Sequence, residues 1–199
     1  MPRKSAVDAL TLFDSLVYTC RYRVSIDVPS DALAWVMQCR HALRERVGPF
    51  ECFYQLPGIT LLETELPPEY EGALSDSVER GAQGQSAFQL RAFGVHHSTD
   101  RKMIYAAVDG PGALAIQRRI GDHVRANRKI RKLGVELPPP MLVIAGPLKA
   151  AQFETAWAML GTEGFNAERS VGDVTLLKRE LADDSLDEHV RTFRFGGLS

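Results

Sequence analysis

Seven cationic side chains, Arg118, Arg119, Arg125, Arg128, Lys129, Arg131 and Lys132, crowd into residues 118–132 with only Asp122 opposing them. Such a run can hold a polyanion by neutralising phosphates and releasing their counterions. On one continuing helix Arg118, Arg125, Lys129 and Lys132 share a face, and with Arg128 they are the residues expected to touch RNA or a nucleotide. A solvated helix face accounts for the same run, because no aromatic platform flanks it. The attraction is local: 24 Lys plus Arg stand against 25 Asp plus Glu, so no global field draws the chain to nucleic acid or an anionic membrane.

Other chemistry-bearing types are scattered. His96 and His97 are adjacent, but neighbours on a strand point apart and no Cys or carboxylate cluster completes a ligand set, so a polar turn is expected there and no metal. His41, His123 and His189 are isolated. Glu63, Glu65, Glu69 and Glu71 could do acid–base work if burial raised their pKa values; otherwise they face water or sit at a helix N-terminus. Glu180, Asp183, Asp184, Asp187 and Glu188 form an acidic loop, either solvated or covering a basic surface. Trp35 and Trp157 read as core on helix faces. Cys20, Cys39 and Cys52 form no CxxC pair and leave an odd number, which fits a reducing compartment. With no long apolar run at the start or elsewhere, neither a signal peptide nor a membrane span is expected, and a cytoplasmic protein follows. No cofactor is expected.

The elements that must position these residues alternate between strand and helix. Val7, Leu10, Phe13 and Leu16 sit at helical spacing, predicting a short helix in an extension over 1–16. From Val17 to Val28 apolar and polar residues alternate, the clearest strand of the chain. Ser30 is positioned to cap a helix with Leu33, Val36, Met37, Leu43 and Val47 on one side, stopped by Gly48-Pro49. A short strand is expected over Phe50–Tyr54, another over Ile59–Glu65, and a helix opened by Pro67-Pro68. Two strands around Phe88–Phe93 and Met103–Val108 precede a helix with Ile116, Ile120 and Val124 inward, running into the basic stretch. Beyond Pro138-Pro139-Pro140, a strand is followed by a helix holding Phe153, Trp157 and Leu160. Three closing strands then lie over Phe165–Arg169, Val171–Arg179 and Val190–Phe195. Strand, helix and strand recur in both halves without a regular βαβ rhythm, which predicts two α+β lobes related by duplication within one domain over 17–199.

Two of these strands, Leu56-Pro57-Gly58-Ile59-Thr60-Leu61-Leu62 and Pro139-Pro140-Met141-Leu142-Val143-Ile144-Ala145, resemble the paired motif strands of the 2H phosphoesterase superfamily, the 2′-5′ RNA ligases and cyclic phosphodiesterases. The likeness runs over roughly residues 17–196 and includes Gly146-Pro147-Leu148, Phe153, Phe165 and Val174-Thr175-Leu176-Leu177-Lys178-Arg179. It implies a 2′-5′ RNA ligase-like fold: antiparallel sheets flanking a central cleft, with helices on the outer faces. In that family each strand reads Pro-His-apolar-Thr-apolar, and the two imidazoles exchange acid and base roles across a phosphodiester. Here Gly58 and Pro140 stand for the histidines and Leu142 for one threonine, so Thr60 alone is retained. Each acid or base is worth about 10²- to 10⁴-fold in rate, so losing both argues against conventional hydrolysis and leaves no catalytic residue to name. His97-Ser98-Thr99 spells the triplet but in a polar turn, a coincidence.

The resemblance implies a catalytically degenerate member that binds a nucleotide, RNA or another phosphorylated ligand. Two alternatives stand beside it: an interaction or structural module with a closed cleft, meeting a protein partner or a second copy through the N-terminal segment, and an enzyme using relocated residues such as Glu63–Glu71, His96 or His97.

Overall fold

The computed structural model describes residues 19–181 and 186–196. The helix expected within 1–16, the start of the predicted first strand at Val17 and Tyr18, and Asp183 and Asp184 lie outside them.

Strand β1 (Cys20–Asp27) follows its alternation: Cys20, Tyr22, Val24 and Ile26 are fully buried on one face, while Arg21, Arg23, Ser25 and Asp27 take the other. Helix α1 (Ser30–Val47) starts at Ser30, which supplies no side-chain cap; the Asp31 carboxylate instead accepts the Ala32 N–H. Residues 51–54 form a 3₁₀ turn rather than the expected strand, closed by Phe53 N–H to Phe50 O and Gln55 N–H to Cys52 O. The burial of Phe50, Cys52 and Phe53 has no period of two, so a strand could not hide all three on one side.

Strand β2 (Gly58–Leu66) leads through a 3₁₀ turn at Pro68–Tyr70 to helix α2 (Glu71–Gln83). Strands β3 (Phe88–Ser98) and β4 (Met103–Asp109) are followed by helix α3 (Pro111–Ala126). Short β5 (Val135–Glu136), β6 (Met141–Ala145), helix α4 (Ala150–Leu160), β7 (Asn166–Val171), β8 (Asp173–Glu180) and β9 (Glu188–Arg194) complete the order.

All strands join one antiparallel sheet in the order β7-β3-β4-β6-β2-β1-β8-β9, with β5 paired to β2. The unit β1-α1-β2-α2 recurs as β4-α3-β6-α4, and β2 and β6 meet at the centre where Ile59 faces Leu142. Helices α1 and α4 pack together over β6 and β4, while α2 and α3 pair over β2, β8 and β9. The sheet curls into a half-barrel with helices outside and a cleft at the seam, the duplicated two-lobed α+β architecture that the sequence predicts.

Candidate ligand-binding cleft

A bulge at the seam decides which residues look into the cleft. Ser25 pairs with Thr60 but Val24 pairs with Leu62, so Leu61 is an extra residue on β2 and the alternation slips by one. Glu63 therefore joins Thr60 in the cleft, while Leu62 is fully buried. Gln117 of α3 holds the bulge from outside, its amide donating to the Leu61 carbonyl at 2.8 Å and to the Pro138 carbonyl at 2.6 Å.

On β6 the cleft-facing residues are Met141 and Val143. Leu142 is 0% exposed and pairs with Ile59 in the core, and Pro140 precedes the strand and is absent from the cleft wall. The expectation that Pro140 and Leu142 occupy the reactive positions is thus shifted by one residue, because side chains on a strand alternate and Leu142 belongs to the buried set. On β2, Thr60 lines the cleft. Gly58 is buried, and a Cβ there would lie 3.2 Å from the Ile26 carbonyl and 3.3 Å from Ser25 Oγ. The space in which a side chain would emerge at position 58 is narrowed by Ser25, whose hydroxyl has no hydrogen-bond partner among the described residues.

The cavity between these strands measures about 170 Å³. Arg101, from the β3–β4 turn, Met103, Cys52 and Gln55 also line it. So does Gly146. Its φ of 148° and the 2.4 Å that would separate a Cβ from Met103 Cβ leave room for glycine alone, and its N–H donates to Cys52 Sγ at 3.2 Å. Burial pushes the Cys52 thiol above its ordinary pKa, so it is a packed thiol rather than a nucleophile.

Cations cluster under and beside the cleft, most of them already matched within the chain. Arg40, 2% exposed on the buried side of α1, donates to the carbonyls of Ile144 (3.0 Å), Val143 (2.9 Å) and Gln55, tying α1 to β6 and the cleft wall. Burial holds its guanidinium below its usual value. Arg23 and Asp187 form an ion pair with side chains only 8% and 6% exposed; Arg23 also donates to Leu56 O, and the Leu56 N–H donates back to Asp187. Asp187 therefore covers a basic group of its own chain, which the solvated-loop reading of the acidic segment missed. Arg21 serves three carboxylates, Glu51 at 2.7 Å, Glu65 at 2.9 Å and Glu63 at 3.4 Å. Burial disfavours its charge, but the hydrogen bonds to Glu65 and Glu51 outweigh that and raise its pKa. For Glu63 burial wins over Arg21, and its carboxyl is raised above the ordinary range. Arg101 is the exception: among the described residues its guanidinium has no ion-pair partner.

The other expected site residues lie elsewhere. Helix α3 ends at Ala126, where the Asn127 side chain donates to Ala73 O and Ser77 Oγ and accepts the Lys129 N–H. The single face expected for Arg118, Arg125, Lys129 and Lys132 is interrupted there. None of these four, nor Arg128, lines the cleft; all are exposed, and Arg128 and Lys129 border a separate depression between α2 and α3. His96 and His97 belong to β3 rather than to a turn, with His97 against Trp157 at 4.3 Å between ring centroids and His96 beside Tyr105. Glu71, the first residue of α2, receives the Tyr22 hydroxyl and Lys178. Glu51, Gln55 and Arg101 in the cleft wall had no sequence signal beyond their polarity. Among the described residues no group of three His, Cys, Asp or Glu side chains is placed to hold a metal ion, and no helix is long and apolar enough to cross a membrane.

Strand order, duplication and seam cleft together define a two-lobed fold of the LigT type. No protein-family model matches the sequence, and no curated protein does. Among solved structures, E. coli LigT complexed with 3′-AMP superposes with a TM-score of 0.62 at 16% identity, over 90% of this chain and 99% of that one. The Thermus thermophilus protein TT0787 gives 0.62 at 16% identity over 90% and 100%, and E. coli LigT complexed with ATP gives 0.56 at 14% over 90% and 99%. The fold is therefore the one implied by the resemblance to the 2H phosphoesterases.

Proposed function

We propose that this protein binds a phosphorylated ligand of nucleotide type in the seam cleft without conventional acid–base hydrolysis. The observation that carries this reading is the cleft wall itself: Thr60, Gln55 and Arg101 offer a hydroxyl, an amide and a cation, Met141 and Val143 line the same cavity, and among the described residues Arg101 has no ion-pair partner and no histidine lines the cavity. A guanidinium with two N–H edges suits a phosphate. Structural relatives complexed with 3′-AMP and ATP point to the same ligand chemistry. The buried, unpaired thiols of Cys20, Cys39 and Cys52 are consistent with a cytoplasmic setting.

Titration calorimetry with 3′-AMP, alongside incubation with 2′,3′-cyclic AMP, tests the reading. Saturable binding with no product above the buffer blank supports it. Absence of binding overturns it, and so does turnover; turnover abolished by Glu63→Gln would instead establish an enzyme with relocated residues.

A second reading, a module that meets a protein partner or its own copy, draws on Leu56 and Leu186, 44% and 66% exposed beside the Arg23–Asp187 pair. Light scattering that shows a dimer dissociated by Leu186→Ser supports that reading.

A further inference from the structure

We infer that the cleft selects esters with one anionic phosphate and a neutral or cationic remainder, and discriminates against polyphosphates and RNA strands. The inference rests on the phosphate-binding reading above and narrows it to a class of ligand.

Size comes first. A cavity of about 170 Å³ falls below the roughly 300–1,000 Å³ of sites that enclose a whole small molecule. It can hold one end of a ligand, and the phosphate end is drawn to Arg101. The remainder must lie outside. The cleft shares Glu51, Glu63 and Pro147 with a neighbouring depression of about 550 Å³, which is the larger space available to it.

The charge of that depression is opposite to what a nucleic-acid channel needs. Its wall holds Glu51, Glu63, Glu65 and Glu136 with one lining cation, Arg21, whose guanidinium is divided among three of those carboxylates, and Arg179 approaches Glu51 at 3.8 Å, so carboxylates remain in excess. A second phosphate placed there meets surplus negative charge at distances shorter than the screening length of about 8 Å in physiological salt. The basic run could offset this only from nearby, and none of its members lines either space. A ribose, a neutral base or an amine suffers no such penalty, and an ammonium group gains from the same carboxylates. Channels that track a nucleic-acid backbone are built the other way, with a basic groove and stacking aromatics.

The experiment compares affinities for 3′-AMP, phosphocholine and ATP at fixed salt, in the wild type, Arg101→Gln and the Glu51→Gln/Glu65→Gln double variant. Glu51 and Glu65 have side chains 46% and 50% exposed, so the double variant is expected to fold. In the wild type ATP binds about tenfold or more weakly than either monophosphate ester, in line with the repulsion of close like charges. The double variant narrows that ratio, and Arg101→Gln weakens all three ligands. Tighter binding of ATP than of 3′-AMP by the wild type overturns the selectivity while leaving phosphate binding intact, and so does a ratio unmoved by the double variant. Failure of every phosphate compound to bind overturns the phosphate reading and this inference with it.

Discussion

Ile59 and Leu142 face each other across the centre of the sheet, and both are fully buried. Their pairing is the point where the two lobes join, and it sets the register of everything beside it. With Leu142 committed to the core, Met141 and Val143 must look into the cleft.

That register is open to a labelling test. Met141→Cys and Val143→Cys are expected to react with a small thiol reagent in the native protein, whereas Leu142→Cys is protected until unfolding. The native thiols give a quiet background: Cys39 is pushed up to about 11 by burial, with the nearby Glu163 carboxylate adding to it. Leu142→Ala should also destabilise by about 2–5 kcal/mol as a core truncation, with Met141→Ala costing clearly less, as read from urea midpoints.

Asp187 and Arg23 are 164 residues apart in sequence and almost fully buried together. Asp187→Ala removes the ion-pair partner of a buried guanidinium that still donates to Leu56 O, and a loss of about 3–5 kcal/mol is expected by denaturant unfolding. The double variant Arg23→Met/Asp187→Leu should recover much of it, because no charge is left uncompensated. Equal losses in the single and double variants would mean that the pair's charge is not what the site depends on.

Glu63 predicts a pH dependence with a definite sign. Its folded pKa is raised by burial, opposed by Arg21. The folded state thus holds its proton more tightly than the unfolded chain. Its favourable contribution is complete below the unfolded carboxylate pKa, about 4.3, and is lost as pH rises through the folded value. Glu63→Gln should therefore gain stability relative to the wild type as pH climbs from about 4 to 7, measured as the difference in urea midpoint. A difference that shrinks over that range would contradict the assigned direction.

The basic run and the cleft make separable predictions. Neutralising Arg125 and Lys129 together should leave 3′-AMP affinity within about twofold, since both are exposed and neither lines the cavity. Arg101→Gln should cost about tenfold or more, the usual scale for a charged hydrogen bond. The reverse ranking, read from the same titrations, would place the ligand on the outer helices.

Much of the architecture was legible in the residues alone, and the reason is local. The alternation of Cys20 through Asp27 predicts a half-buried strand, Gly48-Pro49 stops a helix, and the repeated strand–helix order predicts duplication. Alternation says that neighbouring side chains part company; it does not say which set goes inward. Met141 and Leu142 were distinguished only by the pairing with Ile59, and Glu63 entered the cleft only through the extra residue at Leu61. The cationic run drew attention because its members are close in sequence, yet the helix that carries Arg118, Arg119 and Arg125 ends at Ala126, before the other four. Arg101 and Gln55, far apart along the chain, line one cavity because the sheet curls. Composition and periodicity therefore determined the lobes and their order. Register, bulge and long-range charge pairing depend on contacts between distant segments, and the tertiary structure alone decided them.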